Sequence, residues 1–263
     1  MGALHAGHQS LIQRAQRMCQ TVVVSIFVNP LQFGPTEDFQ DYPRELSQDL
    51  SLCRKGNVDV VFIPQLEDLY PKDFQTTITV KKLSKRWEGE HRPTHFQGVT
   101  TIVTKLLNLV RPTRTFFGQK DYQQFLVIRQ LVKDLELNTK LTLCPTIRDS
   151  DGLALSSRNQ YLTPHQRQVA VQLYQGLSAG KRAIQAGERS GKSIRAMVKR
   201  CLAQRSLLKI DYVAISDALT LEPTQNLKGE VALMGAIRLG KIRLIDNVIV
   251  RVGKRLKARN SSA

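Results

Sequence analysis

A chain of 263 residues, 41% of them hydrophobic, has room for two ordinary domains and a full hydrophobic core. It has no signal peptide and no apolar run of the roughly 18 residues that a membrane span needs, so we expect a cytoplasmic protein without membrane contact. The net charge of +17 indicates an anionic partner, and the lack of aromatic residues among the basic ones favours an anionic small molecule over nucleic acid.

The first half of the chain alternates strand-like and helix-like segments. Near-continuous apolar runs predict strands at 21–28, 57–64, 113–118 and 139–145. Helical periodicity predicts helices at 9–19, 43–55, 98–110 and 121–136. Apolar strands separated by helices are typical of a parallel sheet covered on both faces, so we expect a Rossmann-like, doubly wound α/β domain over residues 1–146. Such domains bind ligands at the carboxyl ends of their strands.

The pattern changes after residue 146. Segments rich in Gln, Ala and Arg predict helices at 164–187 and 190–206. Apolar runs predict strands at 210–216, 230–237 and 243–250. We therefore expect a second, smaller α+β domain over residues 147–263.

The start of the chain is unusual for a doubly wound domain. Such a domain usually begins with a strand, whereas the first predicted helix here follows Met1 by only a few residues. We therefore expect either that the first strand of the sheet is missing from this sequence or that another segment fills its position in the sheet.

The stretch His5-Ala6-Gly7-His8 enters the first predicted helix. A helix amino terminus presents unpaired N–H groups and a partial positive charge, which together favour phosphate. Gly7 permits close approach of a ligand, and two imidazoles one turn apart can donate hydrogen bonds to phosphate oxygens. A metal pair is less favoured, since metal-binding histidines on a helix are more often four residues apart with a further ligand. Taken alone, the motif is also compatible with chance.

Two more segments carry residue types suited to phosphate. In FFGQKDYQQ, at the end of a predicted strand, Lys120 supplies a cation, and Asp121 can cap a helix or hold a ribose hydroxyl. In DGLALSSRNQYLT, Ser156 and Ser157 offer hydroxyl donors and Arg158 a planar guanidinium. Taken alone, each segment is equally compatible with an ordinary turn.

Two other segments could contact a polar substrate. The first predicted strand ends in an Asn-Pro step, which places Gln32 near the carboxyl edge of the sheet, and Gln124 lies in the first turn of a predicted helix. In WEGEHRPTHFQGVTT, Glu88, Arg92 and His95 precede a helix. There a structural, salt-bridged loop and a substrate contact are equally favoured.

The order and spacing of these motifs resemble one family. Five stretches carry the match across roughly residues 1–165: MGALHAGH, FVNPLQFGPTEDFQDYPR, EGEHRPTHFQGV, RPTRTFFGQKDYQQ and DGLALSSRNQYL. They resemble the pantoate–β-alanine ligases, which belong to the HxGH nucleotidylyltransferase superfamily related to class I aminoacyl-tRNA synthetases. The carboxyl-terminal part fits the smaller lid domain of that family.

The resemblance implies an enzyme that condenses pantoate with β-alanine to pantothenate, a precursor of coenzyme A. ATP first converts pantoate into pantoyl adenylate with loss of pyrophosphate, and β-alanine then displaces AMP, with Mg²⁺ as cofactor. The family is typically homodimeric, and its lid closes to exclude water, which would hydrolyse the acyl adenylate.

The motif matches also imply which residues handle ATP. His5 and His8 would stabilise charge on the pentavalent phosphate, with Lys120 and Arg158 as the other catalytic residues. The implied ATP-binding residues are Met1, Gly2, Ala3, Leu4, His5, Ala6, Gly7, His8, Gly118, Gln119, Lys120, Asp121, Ile147, Leu155, Ser156, Ser157 and Arg158.

The resemblance implies the remaining ligands as well. Pantoate would bind to Gln32 and Gln124, β-alanine to Gln32, and Asp49 would belong to the Mg²⁺ shell. Two residues depart from the family pattern, because Ala6 replaces a usual Glu and Leu155 replaces a usual Met. Neither change removes a group that the chemistry needs.

Two other hypotheses compete with the ligase. A relative within the superfamily would adenylylate or cytidylylate a different acid or a phosphate. A strongly basic chain could instead be a non-catalytic protein that binds nucleic acid. The order of the five motifs favours the ligase over both.

Overall fold

The structure, a computed structural model, describes residues 2–35, 37–203 and 207–253. The chain divides into two compact units, Met1–Leu162 and Thr163–Ala263. Residues 147–162, which the sequence analysis placed in the second domain, therefore pack within the first unit. The roles assigned to the two domains stay predictions. No helix in the described ranges is both long and apolar enough to cross a membrane.

The first unit combines helices, strands and short 3₁₀ turns. Its helices are α1 (Ala6–Gln16), α2 (Leu46–Lys55), α3 (Leu66–Leu69), α4 (Glu88–His91), α5 (His95–Val110) and α6 (Tyr122–Asp134). Its strands are β1 (Val23–Ser25), β2 (Val60–Phe62), β3 (Arg114–Gly118) and β4 (Lys140–Cys144). The 3₁₀ turns are Pro30–Gln32, Leu83–Lys85, Gln119–Asp121 and Ser157–Tyr161.

The four strands form two parallel pairs, β1 with β2 and β3 with β4. Together with the antiparallel sheet of the second unit, these pairs confirm the predicted mixed α/β class. The paired strands are shorter than the predicted ones, because only the middle of each apolar run has a hydrogen-bonded neighbour. The β1–β2 ladder, for example, extends past β1 only to Ile26, whose N–H donates to the carbonyl of Phe62 at 2.9 Å.

The two faces of β3 pack against different helices. Phe116 packs against a hydrophobic cluster that contains Ile12 of α1 and Val24 of β1. The next residue, Phe117, packs against the cluster that α5 and α6 form around Phe96 and Ile128. Since side chains alternate across a strand, this alternation covers both faces of the strand, as a doubly wound fold requires.

The second unit is an antiparallel sheet with two helices. Its elements are α7 (Pro164–Gln185), α8 (Gly191–Leu202), β5 (Leu208–Asp217), β6 (Glu230–Leu239) and β7 (Ile242–Arg251), with strand order β5-β6-β7. Thr163 caps α7 through a reciprocal pair of hydrogen bonds with Gln166. The Ser190 hydroxyl caps α8 by accepting the N–H of Ser193 at 3.2 Å. These caps explain why both helices begin near their predicted starts.

Helix α5 lies unusually close to the Pro30–Gln32 turn at Gly98. A Cβ at this position would lie 2.1 Å from the carbonyl oxygen of Leu31 and 2.5 Å from the backbone nitrogen of Gln32. The side-chain amide of Asn29 donates to the carbonyl of Gly98 at 3.1 Å. Only glycine therefore lets the backbone of the turn rest directly on the helix.

We predict that Gly98→Ala destabilises the fold by about 2 kcal/mol or more, because the backbone of the turn must move away from α5. Gly176→Ala in α7 is the matched control, since a Cβ there meets its nearest atom at an ordinary 3.4 Å. That change should be neutral or stabilising by up to about 1 kcal/mol, through the higher helix propensity of alanine. Urea denaturation measures both; equal stability of the two variants would contradict the close approach.

Candidate active site

The His5-Ala6-Gly7-His8 turn uses both imidazole rings to cap α1. The N–H of Gly7 donates to Nδ1 of His5 at 3.1 Å, and the N–H of His5 donates to Nδ1 of His8 at 3.3 Å. The two ring centroids lie 4.1 Å apart. Because both Nδ1 atoms accept hydrogen bonds, each neutral ring carries its proton on Nε2. The turn therefore supplies two adjacent Nε2–H donors.

The surroundings keep both rings neutral. Burial, followed by the neighbouring His5 ring, lowers the pKa of His8 to about 3. Burial and the Lys120 ammonium lower the pKa of His5. At neutral pH the pair can thus stabilise negative charge by donating hydrogen bonds, while neither ring holds a second proton to release.

Lys120 and Asp121 lie just after the end of β3 at Gly118, in the 3₁₀ turn that leads into α6. Nζ of Lys120 is 3.2 Å from Oδ1 of Asp121. Burial alone would raise the pKa of Asp121, but the ammonium of Lys120 and the rings of His95 and His8 together outweigh it, so the pKa is lowered. The same ammonium lowers the pKa values of His5 and His8, which places it within electrostatic reach of both rings.

Asp49, in the first turn of α2, holds the segment that precedes the histidines. Its Oδ2 accepts the N–H of Ala3 at 3.0 Å, and its Oδ1 accepts the N–H of Leu4 at 2.6 Å. The residue is 2% exposed, so its carboxylate holds these two amides away from water. Ala3 has a φ of +49°, a left-handed conformation that is strained for a residue with a side chain. The carboxylate therefore fixes an otherwise unfavourable backbone directly before His5.

The serine segment, residues 156–160, forms hydrogen bonds with the loop that follows β1. The Ser156 hydroxyl accepts the N–H of Arg158 at 3.3 Å, and the hydroxyls of Ser157 and Tyr42 are 2.9 Å apart. Arg158 donates from Nε and Nη2 to the two carboxylate oxygens of Asp38, at 2.8 and 2.7 Å. This bidentate pair joins positions 120 residues apart in the chain. It orients the guanidinium beside the predicted phosphate-binding serines.

One cavity brings three of these segments together. Its volume is about 190 Å³, and it is lined by Ala3, Leu4, His5, Pro43, Glu45, Gln48, Ser156, Ser157 and Gln160. The amino-terminal turn and the serine segment, predicted separately from the sequence as phosphate-binding, thus face the same space. The start of α2 closes the cavity with polar residues that no motif had singled out.

Several predicted residues are not among those that line this cavity: His8, Lys120, Asp121, Arg158, Gln32, Gln124 and Ile147. Gln32 ends the 3₁₀ turn after β1, and Gln124 lies in the first turn of α6, each of them half-buried. Ile147 is 36% exposed, and its carbonyl accepts the N–H of Leu155 at 3.0 Å. Met1 falls outside the described residues. The site assignments of these residues stay predictions.

A resident metal centre does not fit the side chains in the described ranges. These contain no group of three or more His, Cys, Asp or Glu that could hold a metal ion. Asp49, assigned to the Mg²⁺ shell by the resemblance, already uses both carboxylate oxygens for backbone amides. These hydrogen bonds give Asp49 a positioning role, and the Mg²⁺ role that the resemblance implies for it stays a prediction. Mg²⁺ commonly binds through substrate phosphates and water with few protein ligands, so a magnesium nucleotide needs no such cage.

Several residues that shape the site were missed in the sequence. Asp38 and Tyr42 contact the serine segment, and Glu37 forms an ion pair with Arg92 at 2.6 Å. Their signal was weak, since a polar loop after a strand is compatible with any exposed connection. The only available hint was the density of charged and aromatic residues in TEDFQDYPR.

Comparisons with known proteins agree with one another. The sequence model of the pantoate-beta-alanine ligase family matches residues 1–249. Pantothenate synthetase of Thermosipho melanesiensis is 50% identical over 250 residues, which cover 95% of this chain and 89% of that protein. The corresponding protein of Moorella thermoacetica is 48% identical over 252 residues, which cover 96% of this chain and 89% of that protein.

Solved structures are similar as well. The crystal structure of pantothenate synthetase from Thermus thermophilus superposes with a TM-score of 0.92 at 43% identity, covering 94% of this chain and 90% of that chain. The pantoate-beta-alanine ligase from Francisella tularensis, complexed with beta-gamma ATP and β-alanine, superposes with a TM-score of 0.75 at 38% identity, covering 95% and 87%.

We predict that Asp49→Asn weakens ATP binding by roughly ten-fold, because the amide NH₂ cannot accept a hydrogen bond and leaves one buried N–H unpaired. Asp59→Asn is the matched control, since Oδ2 of Asp59 accepts the N–H of Val22 at 2.7 Å outside the cavity lining. Calorimetric titration with ATP measures both variants. Equal ATP affinity in the wild type and Asp49→Asn would show that this carboxylate does not shape the site.

A second prediction concerns pH. The pKa of His8 is about 3 in the folded chain against 6.5 as its ordinary value, so only the unfolded chain takes up a proton as the pH falls below about 6.5. The stability that the chain gains by keeping His8 neutral is fully present above pH 6.5. It is lost toward pH 3, at about 1.4 kcal/mol per pH unit for one proton.

His8→Asn should therefore make the free energy of unfolding depend less steeply on pH between pH 4.5 and 6.5. The side-chain oxygen of the asparagine can still accept the N–H of His5. His165→Asn, at an exposed position in α7, should leave the slope unchanged. Urea denaturation across this pH range measures all three proteins. An unaltered slope in His8→Asn would mean that His8 is not held neutral by the fold.

Proposed function

The chain belongs to the pantoate–β-alanine ligase family, and we propose that it performs the reaction of that family at the cavity beside its HAGH turn. Its activity is the ATP-dependent condensation of pantoate with β-alanine, which makes it a carbon–nitrogen ligase of pantothenate biosynthesis. Amide formation needs an activated carboxyl group, and adenylation supplies it by turning a carboxylate oxygen into part of a good leaving group.

The main observation that supports this site assignment is the cavity that the amino-terminal turn and the serine segment both line. Both segments have residue types suited to phosphate, and the sequence predicts each of them independently of the other. The ammonium of Lys120 acts on the same histidine rings from the end of β3. Donors from three parts of the chain thus support one phosphate-binding site.

In the first step a carboxylate oxygen of pantoate attacks the α-phosphorus of ATP. The bond from that phosphorus to the bridging oxygen breaks, and pyrophosphate leaves with the electron pair. Negative charge grows on the phosphate oxygens, where the Nε2–H groups of His5 and His8 and the ammonium of Lys120 donate hydrogen bonds. Neutral donors suit this task, because pyrophosphate is acidic enough to leave without being protonated.

In the second step the free amine of β-alanine attacks the acyl carbon of pantoyl adenylate. The bond between the acyl carbon and the phosphate oxygen breaks, AMP leaves, and the new amide nitrogen loses a proton. Gln32 and Gln124 follow β1 and β3, where ligands of parallel strands usually bind. Their amides can donate to a carboxylate and accept from a hydroxyl, which suits pantoate for both residues and β-alanine for Gln32.

The same proposal includes the features that the family resemblance implies beyond the site. Mg²⁺ would enter with the ATP phosphates, consistent with the lack of a metal cage in the described ranges. The carboxyl-terminal unit would act as a lid that keeps water from the acyl adenylate. The chain would work as a homodimer in the cytoplasm.

The test is AMP release from the purified chain supplied with ATP, Mg²⁺, pantoate and β-alanine, with each component omitted in turn. We expect AMP only when pantoate and β-alanine are both present. Lys120→Ala should lower kcat by about a hundred-fold or more, because it removes a charge that acts on the developing phosphate charge. Lys192→Ala, at an exposed position in α8, is the control and should retain full activity.

Two outcomes would contradict the proposal. Preference for a phosphorylated acceptor over pantoate would assign the chain to another reaction of the superfamily. Absence of AMP, combined with steeply salt-dependent binding to nucleic acid, would support a non-catalytic role.

A further inference from the structure

A cluster of three side chains surrounds the backbone carbonyl of Gln32. Nδ1 of His95 is 2.9 Å from this oxygen, and Nη2 of Arg92 is 3.3 Å from it. Arg92 is itself held by Glu37, to which Nε and Nη2 donate at 2.6 Å each. The cluster joins the loop after β1 to the start of α5, and the sequence left open whether its role is structural or functional.

The hydrogen bonds define the tautomer of His95. A carbonyl oxygen can only accept, so Nδ1 of His95 must carry the proton that it donates to Gln32. A guanidinium can only donate, so Nε2 of His95 accepts from Nη1 of Arg92 at 3.2 Å. Both ring nitrogens are thus satisfied by a neutral imidazole in one tautomer, the opposite of the tautomer in His5 and His8.

The charges around the ring favour the same state. Burial, followed by the Arg92 guanidinium, lowers the pKa of His95 to about 4, although Glu88 and Glu37 act in the other direction. A second proton on Nε2 would point at Arg92 and break the hydrogen bond from it. Asp121 also lies within electrostatic reach of the ring, which connects the cluster with the turn that follows β3.

The Gln32 carbonyl matters because it attaches the turn that carries Gln32 to the start of α5, through hydrogen bonds from both His95 and Arg92. The preceding turn rests on Gly98 through backbone contacts, which fix Leu31 and the nitrogen of Gln32. The peptide plane after Gln32 closes the turn, since the N–H of Phe33 donates to the carbonyl of Pro30 at 3.1 Å. The two sides of this plane therefore hold the turn together and attach it to the start of α5. The His95 hydrogen bond, at 2.9 Å the shorter of the two to this carbonyl, therefore helps to hold the turn from which the Gln32 side chain projects.

We propose that His95 is a positioning residue for the pantoate site, whose Nδ1–H holds the Gln32 carbonyl and thereby keeps the turn that carries the Gln32 side chain against α5. Arg92, oriented by Glu37, keeps the ring in the tautomer that can do this. The inference rests on the proposed binding of pantoate by Gln32. It assigns no contact between His95 and any substrate.

Two substitutions of His95 separate this role from general stabilisation. In His95→Asn the side-chain amide lies near the former Nδ1 and can still donate to the Gln32 carbonyl. In His95→Gln the amide lies near the former Nε2, next to Arg92, and cannot reach that carbonyl in the same way. His165→Gln, at an exposed position in α7, controls for the change of residue type.

We expect His95→Gln to raise the KM for pantoate roughly ten-fold, with the KM for ATP unchanged, because one buried hydrogen bond near Gln32 is lost. His95→Asn should stay within about three-fold of the wild type, since it restores the donor. His165→Gln should match the wild type. Steady-state kinetics with each substrate varied in turn, together with thermal melts, measure these effects.

Two results would overturn the inference. Equal pantoate KM values in the Asn and Gln variants would show that the Nδ1 position does not matter. A parallel rise in the KM for ATP and pantoate, together with a lowered melting temperature, would indicate a merely structural cluster.

A separate measurement distinguishes this inference from the proposed function. The ¹⁵N chemical shifts of the His95 ring report the tautomer without any substrate, and a proton on Nε2 instead of Nδ1 would overturn the inference. If the wild type makes no pantothenate while the Nδ1–H tautomer is observed, the proposed function fails and the described hydrogen bond stands.

Discussion

The geometry of the candidate site depends on two hydrogen bonds that Asp49 accepts from the amides of Ala3 and Leu4. A left-handed residue such as Ala3 costs about 1–2 kcal/mol and persists only where its surroundings favour it. The buried carboxylate provides that compensation, because charged acceptors form stronger hydrogen bonds than neutral ones. Once these two amides are fixed, the position of His5 at the start of α1 follows, and with it the ring pair and one wall of the cavity.

The cations of the site share a common arrangement. Arg158 is paired with Asp38, Arg92 with Glu37, and Lys120 with Asp121. Each carboxylate reduces the positive field that a phosphate would experience, but it also restricts a long, flexible side chain to one orientation. The site thus has accurately placed donors together with a moderate local charge. The high net charge of the chain is consequently a poor guide to the electrostatics of the cavity.

The sequence predicted the fold class and the order of the strands and of the longer helices, whereas the phosphate-binding character that it indicates for three segments stays a prediction. These features depend on local patterns: the apolar runs that became β1 to β4, and the capping residues that begin α7 and α8. It could not predict the pairing of Arg158 with Asp38, because the two positions are 120 residues apart and no periodicity links them. Nor could it predict that Asp49 binds backbone amides, since an acidic residue at a helix start is compatible with a cap, a metal ligand or solvent. The tautomers of the histidines depend on the atoms that face each ring nitrogen, and the order of residues in the chain does not determine those atoms.

The capping of α1 by histidine rings has a consequence for how the helix acts on an anion. In most phosphate sites at a helix start, the backbone amides touch the phosphate themselves. Here the amides of His5 and Gly7 are bound to imidazole nitrogens, so part of the partial charge of the helix end reaches outward through polarisable rings. A ring that accepts a hydrogen bond on one nitrogen polarises the N–H on its other nitrogen, because the hydrogen bonds in a chain strengthen one another. The two rings therefore extend the reach of the helix by the width of an imidazole, and the stability of α1 and the strength of the site are set by the same four nitrogen atoms.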